Sequence, residues 1–234
     1  MDRNHSDAWV LHLEWRGETS AEVHFFTREW GVLVARVRNA RKHRALLQPF
    51  IPLWLHTTVS RERRFVNALE ACAPPIQLSG EALFSGLYLN ELISLCFRAN
   101  EAQEGLFSHF ARALEELANV ENRAGLEVLL REFEWTLLLA CGYAPSLDRE
   151  AESGLPVRAD GFYGLRPGVG LVACDTGISG AHIQAMREGN LSDIHVRRSA
   201  KRLMQEALKH ALGGRPIRTR ELFAGLRNNR NHHD

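Results

Sequence analysis

The strongest constraint on this chain is a change of hydrophobic period at "CAPPIQLSG", Cys72–Gly80. Before it, apolar residues tend to alternate with polar ones; after it, they recur every third or fourth position. Pro74 and Pro75 can neither donate to a sheet ladder nor sit inside a helix, so they end the first pattern. The sequence predicts two regions: residues 1–78 built of strands and residues 79–234 built of helices.

In the first region, "WVLHLEW" places Trp9, Leu11, Leu13 and Trp15 on one face. The turn "GETS" (Gly17–Ser20) leads to "AEVHFF", and "TREWG" (Thr27–Gly31) leads to "VLVARVR". The segments "PFIPLWLHTTV" and "RRFVNALEA" complete the set. Five short strands with turns between them, and with Pro49 and Pro52 limiting pairing, fit a small oligonucleotide/oligosaccharide-binding (OB) barrel. A fragment of a β-sandwich is the alternative.

In the second region, Ser79 stands where it can cap a helix with Leu83, Leu87, Leu92 and Leu95 near one face. A second helix carries Leu106, Phe110, Ala113, Leu114 and Leu117 on its stripe, and a third is stopped by Gly142. These three read as one packed bundle. Residues 144–177 are rich in Gly, Pro and charge, and read as a loop with a short hairpin. Two more helices follow, the last ended by Gly213 and Gly214, and "TRELF" (Thr219–Phe223) adds a final turn. The expected class is multidomain α+β: an N-terminal OB-type barrel, then an α-helical domain with an irregular loop insertion.

Charge is segregated. The chain has 29 Lys and Arg against 28 Asp and Glu, a formal net charge of +1. Yet "ARVRNARKHRAL" collects Arg36, Arg38, Arg41, Lys42 and Arg44 with no acid among them. A second cationic group lies on the last long helix, where Arg197 and Lys201, and Arg198 and Arg202, are spaced four apart. Like charges at that spacing cost an isolated helix about 0.2–0.5 kcal/mol per pair, so an anionic partner is implied. The acidic middle of the same chain is one candidate partner. Period 2 puts Val32, Val34, Arg36 and Arg38 on one side of a strand, and Leu33, Ala35 and Val37 on the other. Such a row suits a phosphate backbone, with neighbouring aromatics (Phe25, Phe26, Trp30, Phe50, Trp54) as core or as stacking platforms.

Other chemistries find no support. There is no phosphate-binding Gly-rich loop with its lysine, no nucleophile elbow and no zinc-protease helix. The four cysteines, Cys72, Cys96, Cys141 and Cys174, form no C-x-x-C pair and read as buried free thiols, three of them in apolar surroundings. Histidines such as His12 and His24 read as surface-facing, and His232 and His233 lie in a polar tail. No apolar run reaches the about 18 residues of a membrane span, and the N-terminus is polar, so a cytoplasmic address is expected. A binding protein is favoured over an enzyme. A protein-interaction adaptor and a nuclease remain rivals.

Several of these segments taken together are specific. "WVLHLEWRGETSAEVHFFTREWGVLVARVRNAR", "LLQPFIPLWL", "LSGEALFSGLYLNELI", "FEWTLLLACGY" and "LGGRPIRTRELF" resemble, in order over nearly the whole chain, the RecO family of bacterial DNA repair and recombination mediators. The resemblance implies an OB barrel followed by a helical domain and no enzymatic activity. It implies binding to single- and double-stranded DNA and annealing of complementary strands. It also implies work with RecR, and often RecF, to load RecA on DNA coated by single-stranded-DNA-binding protein. A nucleoid-associated place in the cell goes with this. The acidic C-terminal tail of the coating protein would meet an apolar and basic notch on the helical domain, for which Arg123, Arg131 and Phe133 are the candidates. Some relatives carry a four-cysteine zinc site in the loop after the "GY" helix. This chain offers Glu150, Ser153 and a single Cys174 there, so no metal and no cofactor are expected.

Overall fold

The computed structural model describes residues 4–220, so His232, His233 and the end of "TRELF" lie outside the described residues. The described residues divide into two compact units, residues 4–119 with 217–220, and residues 120–216.

The first unit is built on five strands: β1 (His5–Arg16), β2 (Ser20–Thr27), β3 (Gly31–Val37), β4 (Leu53–Ser60) and β5 (Arg63–Ala71). They close in the order β1-β2-β3-β5-β4. All pairings are antiparallel except β3 with β5, where Arg36 lies beside Phe65 and Val37 beside Val66. Closure decides between the barrel and the sandwich fragment. The interior takes Val23 and Phe25 from β2, Leu33, Ala35 and Val37 from β3, and Leu53 and Leu55 from β4.

β1 departs from its expected alternation. Its register with β2 shifts between Val10 and His12. Before the shift Ala8 and Val10 point inward; after it Leu13 does. A bulge inserts one residue, so the parity of every later side chain is reversed. Trp9 therefore turns away from the barrel interior and meets Phe110 edge to face at 5.9 Å. Trp15, expected on the same buried face, is 45% exposed.

The bulge also creates a demand. Carbonyls displaced from a ladder and buried need donors. Asn90 of α1 (Gly80–Cys96) supplies them: its Nδ2 donates to the carbonyls of Val10 and Leu11, both at 3.2 Å. α1 is buried on several sides, through Ser85, Tyr88, Leu89, Leu92 and Ile93, while Leu83, Leu87 and Leu95 of the expected stripe are only half-buried. Ser79 holds the N-cap position but makes no side-chain cap bond. In α2 (Glu104–Ala118) the expected stripe is the buried one, joined by Phe107. It lies against the outward Phe26 and Trp9 of the barrel.

Between these helices the backbone passes close over the start of β3. Asn100 N–H donates to the Val32 carbonyl at 2.8 Å. Gly31, with φ +65°, permits the approach, since a Cβ there would fall 1.8 Å from the Glu101 carbonyl oxygen. The C-terminal segment returns to α1. Glu91 accepts from the backbone N–H groups of Arg218 (2.8 Å) and Thr219 (2.9 Å) and from the Thr219 hydroxyl (2.6 Å). Arg220 donates to the Tyr88 hydroxyl at 2.7 Å.

The second unit holds α3 (Arg123–Ala140), a small sheet of β6 (Phe162–Arg166), β7 (Gly170–Ala173) and β8 (Ile178–Ser179), then α4 (Gly180–Arg187) and α5 (Ile194–Ala211). Asn122 caps α3 by accepting from Gly125 N–H at 3.0 Å, and Gly142, at φ +75°, follows its end. The β6–β7 hairpin is the one expected within 144–177. Thus α1 and α2 fall in one unit with the barrel, and α3 in the other with α5. The bulge explains this in part, because it gives the barrel an apolar outer wall that takes α2. The change of period at 72–80 and the boundary of compactness at 119/120 do not coincide.

Replacing Asn90 by Ala leaves the two bulge carbonyls without a donor. A loss of about 1–3 kcal/mol is expected, read as a lower urea midpoint with an unchanged slope.

Candidate nucleic-acid interface

β3 sorts its side chains as its period requires. Leu33, Ala35 and Val37 fill the barrel, so Arg36 and Arg38 must point outward. The chain then leaves β3 through Asn39, whose φ of 52° turns it sharply, into a single 3-10 turn, Ala40–His43. Ala40 is fully buried and donates its N–H to the Thr19 carbonyl at 2.7 Å, which pins the turn beside the β1–β2 connection. Arg41, Lys42 and Arg44 are left exposed at that end of the barrel. Among the described residues, Arg36, Arg38, Arg41, Lys42 and Arg44 make no ion pair.

The two acids across the sheet from Arg36 are already engaged. Glu22 is the cross-strand neighbour of Arg36, and Glu14 is that of Glu22. Arg16 holds both, at 2.8 Å from Glu14 and 3.0 Å from Glu22. Its hydrogen bond keeps the Glu22 carboxyl below the usual glutamate range. His12 and His24 stack at 3.9 Å one row further along the same face. Burial, and then the neighbouring His12, depress the pKa of His24.

β5 adds cations that the sequence reading did not single out. Arg61 and Glu62, at φ 49° and 64°, form the two-residue turn between β4 and β5. Arg61 and Arg63 are exposed. Arg63 shares the outward face with Phe65, the partner of Arg36. Arg64 points the other way: it donates to the Thr57 hydroxyl at 2.9 Å and lies 4.7 Å over the Trp30 ring. The run "RERR" (Arg61–Arg64) was the available signal, and period 2 separates its surface members from Arg64.

The aromatic candidates divide likewise. Phe25, Phe26 and Phe50 are buried, and Trp30 is covered by Arg64. Trp54 stacks on His5 at 4.8 Å.

The second cationic group is smaller than its sequence. The Arg197 side chain is only 11% exposed. It donates to the carbonyls of Leu191 (3.0 Å) and Ser192 (2.6 Å) and reaches Glu127 of α3 at 3.4 Å. It holds α5 to α3 and offers nothing to a partner. Arg202 pairs with Glu206 at 3.3 Å. Arg198 and Lys201 remain exposed without an ion pair among the described residues.

The three tail-binding candidates are not brought together on a surface. Phe133 is fully buried, and the largely buried Arg131 donates to Glu134 at 2.8 Å. Arg123 is exposed and pairs with Glu127 at 3.3 Å. In the loop after α3, Glu150 is 6% exposed and accepts from the N–H groups of Glu152 (3.0 Å) and Ser153 (2.6 Å). The carboxylate folds this knuckle by itself. The four thiols form no disulfide but are not buried as expected: Cys72 and Cys174 are exposed and Cys96 and Cys141 half-buried, with Cys174 donating to the Thr176 carbonyl at 3.1 Å. The residues of this loop do not fit a zinc ion, and among the described residues no three His, Cys, Asp or Glu are grouped to hold a metal. No described helix is long and apolar enough to cross a membrane.

Comparison with known proteins agrees with this architecture. A family model described as "Recombination protein O C terminal" matches residues 77–221. The DNA repair protein RecO of Legionella pneumophila (strain Philadelphia 1) is 38% identical over 220 residues, 93% of this chain and 96% of that one. The DNA repair protein RecO of Stutzerimonas stutzeri is 42% identical over 228 residues, 95% and 94% of the two chains. That of Pseudomonas aeruginosa is 41% identical over 222 residues, 92% of each. The chain belongs to the RecO family.

Two of the segments that carry the RecO resemblance are joints. "YLNEL" holds Tyr88, Asn90 and Glu91, which tie α1 to the C-terminal segment and to the β1 bulge. "LLQPF" ends at Phe50, held at φ 67°, with its carbonyl accepting from Ile76 N–H at 2.9 Å. None of the candidate DNA contacts lies in these two motifs.

Two outcomes are expected. Replacing Arg197 by Ala lowers stability by about 1–3 kcal/mol, whereas Arg198→Ala stays within about 0.5 kcal/mol, by chemical denaturation. Because the folded pKa of His24 lies below its ordinary 6.5, the unfolded chain binds the proton more readily. Stability is then present above that value and lost as pH falls through the folded pKa. Melting temperature should drop from pH 7 to pH 5, and His24→Gln should shrink the drop. His109, also depressed by burial, accounts for part of what remains.

Proposed function

We propose that this protein is a non-catalytic mediator of DNA repair and homologous recombination. It binds single- and double-stranded DNA and anneals complementary strands. With RecR, and with RecF, it helps load RecA on DNA coated by single-stranded-DNA-binding protein, as a nucleoid-associated protein. The observation that carries the reading is the row of outward cations on β3 and the 3-10 turn, none of which meets an acid within ion-pair distance among the described residues. Five such groups on a rigid strand and turn can replace the counterions of a phosphate chain. Arg198, Lys201 and Arg202 would add contacts from α5, and Arg197 would not. Annealing follows from the same charge, since lowering the repulsion between two strands leaves their base edges available to pair. Contact with the coating protein's acidic tail belongs to the proposal, with Arg123 as the exposed cation; Arg131 and Phe133 lack the exposure such a notch needs.

A second reading, an adaptor that touches only protein, draws on Arg197, whose charge is spent within the chain on Glu127.

A salt titration of single-stranded DNA binding separates the two. Five phosphate contacts give a log–log slope of about −3.5, a loss of roughly a hundredfold between 50 and 200 mM salt. Changing Arg36, Arg38, Arg41, Lys42 and Arg44 together to Gln should flatten the slope and abolish the gel shift. Binding that ignores salt, or survives that variant unchanged, rejects the mediator reading. Annealing should proceed with neither nucleotide nor metal added.

A further inference from the structure

The outward face along the β3–β5 seam holds a feature that phosphate binding does not use. Phe65 is apolar, half-buried and outward, on a face otherwise lined by Arg36, Arg38, Arg63, Thr58 and Asn67. An aromatic ring there is out of place for a purely electrostatic surface. Its ring is covered on one side by the Arg38 guanidinium, whose central carbon lies 4.6 Å from the ring centroid. This gathers an exposed cation and an aromatic ring into one contact next to Arg36.

We infer that Arg38 and Phe65 form a stacking shelf for one unpaired nucleobase of a single strand. The inference rests on the DNA-binding reading and deepens it. Guanidinium planes and aromatic rings both stack bases, and every base has a π-face, so the shelf tolerates any sequence. A base within a duplex is already stacked on both sides and cannot use it. The shelf therefore separates single-stranded from double-stranded DNA, which a row of cations alone does not. The strand's phosphates would run past Arg36 and toward Arg63 and Arg61 at the β4–β5 turn, which extends the site beyond β3.

The other ring cluster on the barrel does not fit this role. His5 stacks between Trp54 and His56 at 4.8 and 4.6 Å, but the cross-strand neighbours of Trp54 are Asp7 and Glu70. Arg28 holds Asp7 at 3.2 Å, but Glu70, exposed and without an ion pair among the described residues, repels a phosphate chain there.

The test compares Phe65→Leu with the wild type on a single-stranded oligonucleotide and on the same sequence as a duplex. Single-strand affinity should fall about fivefold to a hundredfold with the salt slope kept, while duplex affinity stays the same. Phe65→Trp should bind the single strand as tightly as the wild type. An oligonucleotide carrying 2-aminopurine should be quenched on binding by the wild type and by Phe65→Trp, and not by Phe65→Leu. Melting curves establish that each variant is folded. Unchanged single-strand affinity in Phe65→Leu overturns the shelf and leaves the phosphate reading intact. An equal loss on both DNA forms also overturns it, since Phe65 then acts only through the fold. Absence of DNA binding by the wild type overturns both.

Discussion

The first unit depends on one short contact, the parallel pairing of β3 with β5. Only Arg36 with Phe65 and Val37 with Val66 are in register there. Without it the five strands form an open sheet with two exposed edges, a template for unwanted pairing. With it the sheet closes, Leu33, Ala35 and Val37 are committed to the interior, and their neighbours have no choice of side. The placement of cations on the outside of β3 is therefore a by-product of closure. It is also durable, because moving Arg36 inward would slip every residue of the strand.

The two cationic groups differ in what surrounds them. Around Arg36 the acids are few and are held by Arg16. Around Arg197 the fold supplies Glu127 and two carbonyls, at the foot of a helix where a buried guanidinium needs several acceptors. Two runs of arginines thus yield a surface in one segment and a structural bolt in the other. Net charge per segment cannot separate these outcomes, because the deciding partners lie far away in sequence; Glu127 and Arg197 are 70 residues apart.

What could be read in advance was whatever depends on local period. The five strands, the stripe of α2, the stop at Gly142 and the two faces of β3 all follow from spacing alone. What could not be read was set by one residue acting at a distance. The bulge in β1 leaves no mark in "WVLHLEW", yet it turns Trp9 outward against α2 and creates the demand that Asn90 meets. α1 defeated its pattern because it is buried on more than one side, so no single stripe exists to be found. Arg131 failed as a surface cation for a related reason: Glu134, one turn along the helix, could equally have marked a solvated face.

Glu91 has a topological consequence. By gripping the N–H groups of Arg218 and Thr219, it fastens the chain to the first unit after residues 120–216 have been spent elsewhere. The second unit is thus an excursion with both ends moored on α1 and α2, not a tail. Closing an excursion costs chain entropy that grows only with the logarithm of its length, about 0.6 kcal/mol per doubling. Such a segment can be lengthened or shortened at little thermodynamic penalty so long as the mooring holds, and a single proteolytic cut within it would leave both fragments attached to the first unit.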